Sequence, residues 1–164
     1  MQWTDSIRQV KIILVVAAIV IAATSLLVSH QLVSDLKDEE RSKMDLWAKA
    51  MNFVQEADGE TDLSLALAFI EGNTTIPVIV TDKEGQVLEY RNIEDSLGVA
   101  AYASRLRQAG DTIPVDLGEG DYLLVCYDES TMLKRLTHYP YWQLGIVMIF
   151  VIVAIFALLS STRA

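Results

Sequence analysis

Two long stretches without a charged residue bracket a strongly charged middle. The first runs from Ile12 to Ser34 and the second from Leu136 to Thr162. A bilayer core about 30 Å thick takes roughly 20 apolar helical residues, so each stretch is long enough to span it. The first has neither Pro nor Gly and is rich in Ile, Leu and Val, the side chains that favour insertion. Near the start of the second stand Tyr139, Tyr141 and Trp142, as an aromatic belt at headgroup level would. The pattern predicts transmembrane helices over 12–34 and 136–162, the latter including its outer aromatic flank. A cleaved signal peptide ending near Ala23-Thr24-Ser25 is the rival for the first, but the apolar run exceeds the usual signal core.

Helical periodicity continues past the first stretch. Leu32, Leu36, Glu39, Lys43, Leu46, Ala50, Phe53 and Ala57 alternate at spacings of four and three, a coiled-coil seam with two polar interruptions. Traced backwards, the seam meets Ser29, Ser25, Ala22 and Ala18. These small residues would let helices approach closely within a membrane. The seam helix, 30–57, is expected to pack on its own domain, on a second copy, or on both.

Beyond a break at Asp58-Gly59-Glu60-Thr61-Asp62 comes a shorter helix to Gly72. The pattern then changes to strands: Ile76 to Thr81, and Val87 to Arg91, joined by Asp82-Lys-Glu-Gly-Gln86. Asp82 at the first and Gly85 at the fourth turn position suit a type I turn. Asn92 is expected to cap a following helix, with Glu94 and Asp95 in its first turn and Gly110 at its end. Ile113 to Leu117 and Tyr122 to Asp128 form a second strand pair across Gly118-Glu-Gly-Asp121. A last helix from Thr131 leads into the second apolar stretch. The expected fold is membrane α+β: two transmembrane helices flanking a small α/β part, 62–130, whose antiparallel sheet carries helices on one face.

Composition sharpens this division. The chain has 164 residues, 52% hydrophobic and 21% charged, with a net charge of −9. Its mean hydropathy is +0.31. Residues 35–135 hold 10 Lys+Arg and 21 Asp+Glu, a net of −11. Such a balance excludes a soluble monomeric enzyme, a disordered chain and a nucleic-acid binder. Arg8 and Lys11 precede the first stretch and Arg163 follows the second, whereas Lys134 and Arg135 oppose them. The short basic N-terminus and acidic middle predict both ends in the cytoplasm (1–11 and 163–164) with 35–135 translocated.

Little in the chain points to catalysis. His30 and His138 sit at the outer ends of the apolar stretches and read as interfacial aromatics rather than pH sensors. Cys126 is alone, alternates with Tyr122, Leu124 and Asp128 on a strand, and reads as a small core residue. Asp58-x-Glu60-x-Asp62 imitates the opening of a calcium loop, but Leu63 and Phe69 stand where Gly and Glu are required. No metal and no cofactor is expected, and no phosphate loop or nucleophile motif appears. The chain as it stands reads as not an enzyme.

The segment Ile79-Val-Thr-Asp-Lys-Glu-Gly-Gln-Val-Leu-Glu-Tyr-Arg-Asn92 resembles the strand–turn–strand of PAS- or Cache-like sensor domains, with Asp82, Gly85, Val87 and Asn92 matching. The whole layout, with Leu133-Lys-Arg-Leu-Thr-His-Tyr-Pro-Tyr-Trp-Gln-Leu144 running into the second span, is similar to the input half of a bacterial sensor histidine kinase. The resemblance implies a homodimer in the inner membrane whose extracytoplasmic domain detects a small-molecule or protein signal. It also implies a cytoplasmic kinase that acts on a cognate response regulator. The phosphoacceptor helix and ATP-binding domain are missing here, so a fragment of a longer protein is expected. A short scaffold or assembly subunit is the rival, as is the input half of a chemoreceptor or cyclase.

A sensor of this kind should work by moving the Ala18–Leu36 helix relative to the Gly145–Leu159 helix. Its pocket is expected between the sheet and the Glu94–Ala109 helix, with Tyr90, Tyr102, Arg105 and Tyr122 as the candidate ligand contacts. An Arg there could grip an anion by two parallel hydrogen bonds. The alternative makes the tyrosines core residues and Arg105 a surface charge. Candidate helix-packing residues are Ala18, Ala22, Ser25, Ser29, Leu32, Leu36, Leu46 and Phe53.

Overall fold

The computed structural model describes residues 2–94 and 98–162. Asp95 and Arg163, placed by the sequence in a helix first turn and a cytoplasmic flank, lie outside them. In order, the elements are α1 (Gln2–Glu56), α2 (Ser64–Glu71), β1 (Val78–Thr81), β2 (Val87–Arg91), α3 (Val99–Ala109), β3 (Thr112–Gly118), β4 (Asp121–Tyr127) and α4 (Thr131–Thr162). The chain divides into two compact units, Leu36–Lys134 and a second formed by the chain on either side.

Within the first unit the strands form one antiparallel sheet in the order β2-β1-β4-β3. β1 is central, and all four of its residues are buried, although side chains alternate between faces along a strand. Such burial requires cover on both sides. Val78, Val80, Val115, Leu123, Val125 and Tyr127 pack with Met44, Trp47, Ala48 and Met51 of α1. Ile79 and Cys126, paired in register, pack with Val99, Ala103 and Leu106 of α3. The expected arrangement with helices on one face is therefore corrected to a sheet held between α1 and α3. A β-rich run as uniformly apolar as Val78-Ile-Val is what a strand buried on both faces needs.

The turns follow from local chemistry. Gly85 N–H donates to the Asp82 carbonyl at 3.1 Å, and Gln86 N–H donates to the Asp82 carboxylate at 2.7 Å. Gly85 has φ 93°, and a Cβ placed there would lie 1.9 Å from an Arg107 guanidinium nitrogen. The positive φ demands glycine, whereas the Arg107 side chain could swing aside to admit a Cβ. In the β3–β4 hairpin Gly118 pairs with Asp121, leaving Glu119 and Gly120 as a two-residue loop with φ 55° and 82°. Positive φ at both positions matches the right-handed twist of the flanking strands. Pro114 is tolerated because β3 is an edge strand.

Asn92 does not cap α3. It adopts φ 57°, and its amide donates to the carbonyls of Asn73 (3.1 Å) and Ile76 (2.9 Å). That side chain ties the end of β2 to the entry of β1. The helix begins later, at Val99 after Gly98, so Glu94 precedes it, and Gly110 ends it in the left-handed conformation with φ 88°.

Of the packings open to the α1 seam, only a part of the intrachain one is seen. Met44, Trp47, Ala48 and Met51 form the stripe on the sheet, whereas Leu46 is 51% and Phe53 48% exposed. At about 100° per residue, Leu46 and Phe53 project from the side of α1 opposite that stripe. Leu36 is half-buried. Intrachain packing thus uses a second apolar stripe with Ala50 of the seam at its edge, and leaves Leu46 and Phe53 open.

In the second unit, α1 and α4 each carry a length that is long and apolar enough to cross a membrane. Their apolar side chains face outward, with Leu27 72% and Phe156 74% exposed. Ala18, Ala22, Ser25 and Ser29 are half-buried along one face of α1, together with Val15, Leu26 and Val33, while Leu32 is exposed. Gln143 of α4 donates its amide N–H to the Ser25 hydroxyl at 2.5 Å. At Ser25, therefore, the small-residue stripe meets α4 of the same chain. Pro140 lies inside α4, where it removes one backbone hydrogen bond.

Candidate functional site

Three residues between β4 and α4 gather contacts from three helices. Asp128 accepts from the Tyr102 hydroxyl of α3, and from the Lys134 ammonium of α4 at 2.6 Å. Its own N–H donates to the Pro77 carbonyl at 3.1 Å, just ahead of β1. Glu129 pairs with Lys37 of α1 at 2.7 Å. Ser130 is the N-cap of α4: its hydroxyl accepts the Leu133 N–H at 3.2 Å, and its carbonyl accepts the Lys134 N–H at 2.9 Å. That hydroxyl also donates to the Glu40 carboxylate of α1, which accepts the Ser130 N–H at 3.1 Å as well. The segment thus links α1, α3, the sheet and the first turn of α4.

The charges here are held unequally. Burial alone would raise the Asp128 carboxyl, but hydrogen bonds from Lys134, Tyr102 and the Glu129 N–H outweigh it and hold it below the usual aspartate range. Burial and the neighbouring Asp128 carboxylate push the Tyr102 hydroxyl well up, so it remains a donor. The hydrogen bond to Glu129 raises the Lys37 ammonium. A cavity of about 300 Å³ adjoins the segment, with Arg41, Asp111, Tyr127 and Leu133 lining it beside Lys37, Glu40 and Glu129.

A folded-state pKa below the unfolded value means that Asp128 stabilises the fold above the unfolded pKa. That contribution is lost as pH falls through the folded pKa. The melting temperature of the Leu36–Lys134 unit should therefore fall as pH drops below about 4. In Asp128→Asn this part of the acid dependence should vanish, which a melting series from pH 7 to pH 3 reads directly.

The residues singled out as ligand contacts do not form one cluster. Tyr102 and Arg105 meet, with the guanidinium carbon 4.7 Å from the ring centroid, a cation–π geometry. Tyr102 is committed to Asp128 at one end of β4. Tyr122 is half-exposed and lies six residues away along the same chain segment, roughly 20 Å at about 3.3 Å per residue. Tyr90 sits half-exposed on edge strand β2, paired with Ile79. Asp82 and Gly85 serve the turn.

Lys37, Glu40, Asp128, Glu129, Ser130 and Lys134 escaped the sequence reading. Asp-Glu-Ser-Thr before a helical run is an N-cap signal, and it could have located Ser130. Nothing local ties Glu40 to a residue 90 positions away.

The fold and this junction define an α+β domain with a four-stranded antiparallel sheet, inserted between two helices of membrane-spanning length. In comparisons with known proteins, no family model, no curated protein and no solved structure matches the chain.

Proposed function

We propose that this chain is the input module of a transmembrane sensor. Residues 35–135 form a PAS- or Cache-like domain outside the cytoplasm, and both ends of the chain lie in the cytoplasm of a bacterial inner membrane. The signal passes through α1 and α4, in a homodimer, to a cytoplasmic histidine kinase that serves a response regulator. Outward-facing apolar side chains on both long helices support the membrane assignment, since surfaces of this extent are unusual in water. The open Leu46 and Phe53 face supports pairing of two copies.

One observation carries the signalling reading: Asp128–Ser130 is bonded at once to α1, α3 and the start of α4. A ligand that favours one arrangement of the domain can reach the second span through this segment, while α1 runs unbroken from the domain core into the first. The test is to fuse the chain to a histidine kinase core and measure autophosphorylation in membranes. Glu40→Gln and Asp128→Asn should each shift basal output; output unchanged by both would contradict the reading.

A second reading, an assembly subunit, draws on α2. Of its apolar side chains only Ile70 is buried, whereas Leu65 is 82% exposed and Leu67 and Phe69 are also open. That reading predicts stoichiometric co-purification with another membrane protein, lost on Leu65→Glu.

A further inference from the structure

We propose that the cleft between α1, α2 and the loop leading into β1 binds a small apolar carboxylate. The cleft has a volume of about 430 Å³, within the range of small-molecule sites. It lies on the α1 face of the sheet, across from the α3 side where Tyr102 and Arg105 stand. Met44, Trp47 and Ile76 form a buried apolar floor, and Phe69 stands half-exposed as a wall. An apolar body of one or two rings would be removed from water there.

The polar lining selects the charge. Trp47 Nε1 already donates to the Ile70 carbonyl at 3.2 Å. Asn73 is committed to Ile76, one amide N–H donating to its carbonyl at 3.0 Å and the oxygen accepting its N–H at 3.1 Å, which leaves the second amide N–H. Besides that N–H, the rim offers the Thr75 hydroxyl and the Lys43 ammonium, the one charged group among the described lining residues. Lys43 pairs with Glu39 at 2.8 Å, but both side chains are 58% exposed, so water screens the pair and a second carboxylate can replace the first at small cost. No acidic side chain is among the described lining residues, so a bound cation would find no partner there, whereas a carboxylate that displaces Glu39 is held by Lys43 against the negative field of the domain. A bound ring would touch α1 and the α2–β1 connection together, so the site becomes a signal input only on the sensor reading above.

The test uses the full chain in lipid nanodiscs with 15N-labelled tryptophan, titrated with 1-naphthoate. The Trp47 indole resonance is assigned by Trp47→Phe. A saturable shift of that resonance is expected, with affinity weakened about tenfold in Lys43→Gln and binding abolished in Ala68→Tyr, which fills the cleft. Lys43 and Ala68 are exposed, and wild-type resistance of the unliganded variants to limited proteolysis confirms their fold. No shift of Trp47, or a shift retained in Ala68→Tyr, would overturn the site. Loss in Ala68→Tyr with full affinity in Lys43→Gln would overturn the carboxylate assignment. Binding without any change in output of the kinase fusion would keep the site and reject its signalling role. Altered output in Glu40→Gln without binding would do the reverse.

Discussion

Trp47→Ala should remove a large share of the stability of the Leu36–Lys134 unit while leaving the apolar helices in place. Trp47 is 2% exposed and sits in the α1 stripe that covers Val78, Val80 and Val125. Truncating a buried Trp costs about 3–5 kcal/mol through lost transfer energy and an unfilled cavity. A domain of this size has only about 5–15 kcal/mol in total. The substitution also strands the Ile70 carbonyl, which accepts from Trp47 Nε1. Trp47→Phe keeps most of the packing and loses the hydrogen bond, so its cost should be smaller by about 2 kcal/mol. Leu46→Ala, one residue away on the open face, should change stability by less than about 0.5 kcal/mol. Limited proteolysis of the full chain reads all three: rapid cleavage between 36 and 134 for Trp47→Ala, and wild-type resistance for Leu46→Ala.

Glu40→Ala should loosen the start of α4 without unfolding the sheet. The Glu40 carboxylate accepts both the N–H and the hydroxyl of Ser130, which is 5% exposed. Hydrogen bonds to a charged group are worth about 1.5–3 kcal/mol, and removing the acceptor leaves the Ser130 N–H without it. Ser130→Ala removes the N-cap as well, a loss of about 1 kcal/mol. Because the two share one network, the double variant should cost less than the sum of the singles, by about 1–2 kcal/mol. Amide hydrogen exchange over residues 129–134 is the direct measure. Protection there should fall in Glu40→Ala and stay unchanged in β1, whereas uniform loss across the domain would show a general packing defect.

Much of this architecture could be read from the residues because its signals are local. Charge-free runs locate the long apolar helices, and Asp82 with Gly85 sets its turn through bonds spanning at most four residues. Gly110 ends α3 because only its own φ is at issue. What failed needed partners distant in sequence. α1 carries two apolar stripes, Leu46–Phe53 and Met44–Trp47–Met51, and periodicity alone cannot say which one meets the sheet. Asn92 has the composition of a helix cap, but the carbonyls of Asn73 and Ile76 claimed its amide instead. The expected ligand cluster separated because Tyr102 and Tyr122 meet opposite ends of β4, which strand assignment without register does not reveal.

In the proposed topology, the Leu36–Lys134 unit lies across the membrane from both ends of the chain. This placement can be tested with introduced cysteines and a membrane-impermeant maleimide on spheroplasts. The native Cys126 is fully buried and its thiol is pushed up by burial, so it should stay silent. Glu60→Cys lies in the exposed loop after α1 and should be labelled on intact spheroplasts. Ser6→Cys should be labelled only after lysis. Labelling of Ser6→Cys on intact spheroplasts, or of Glu60→Cys only after lysis, would contradict the account.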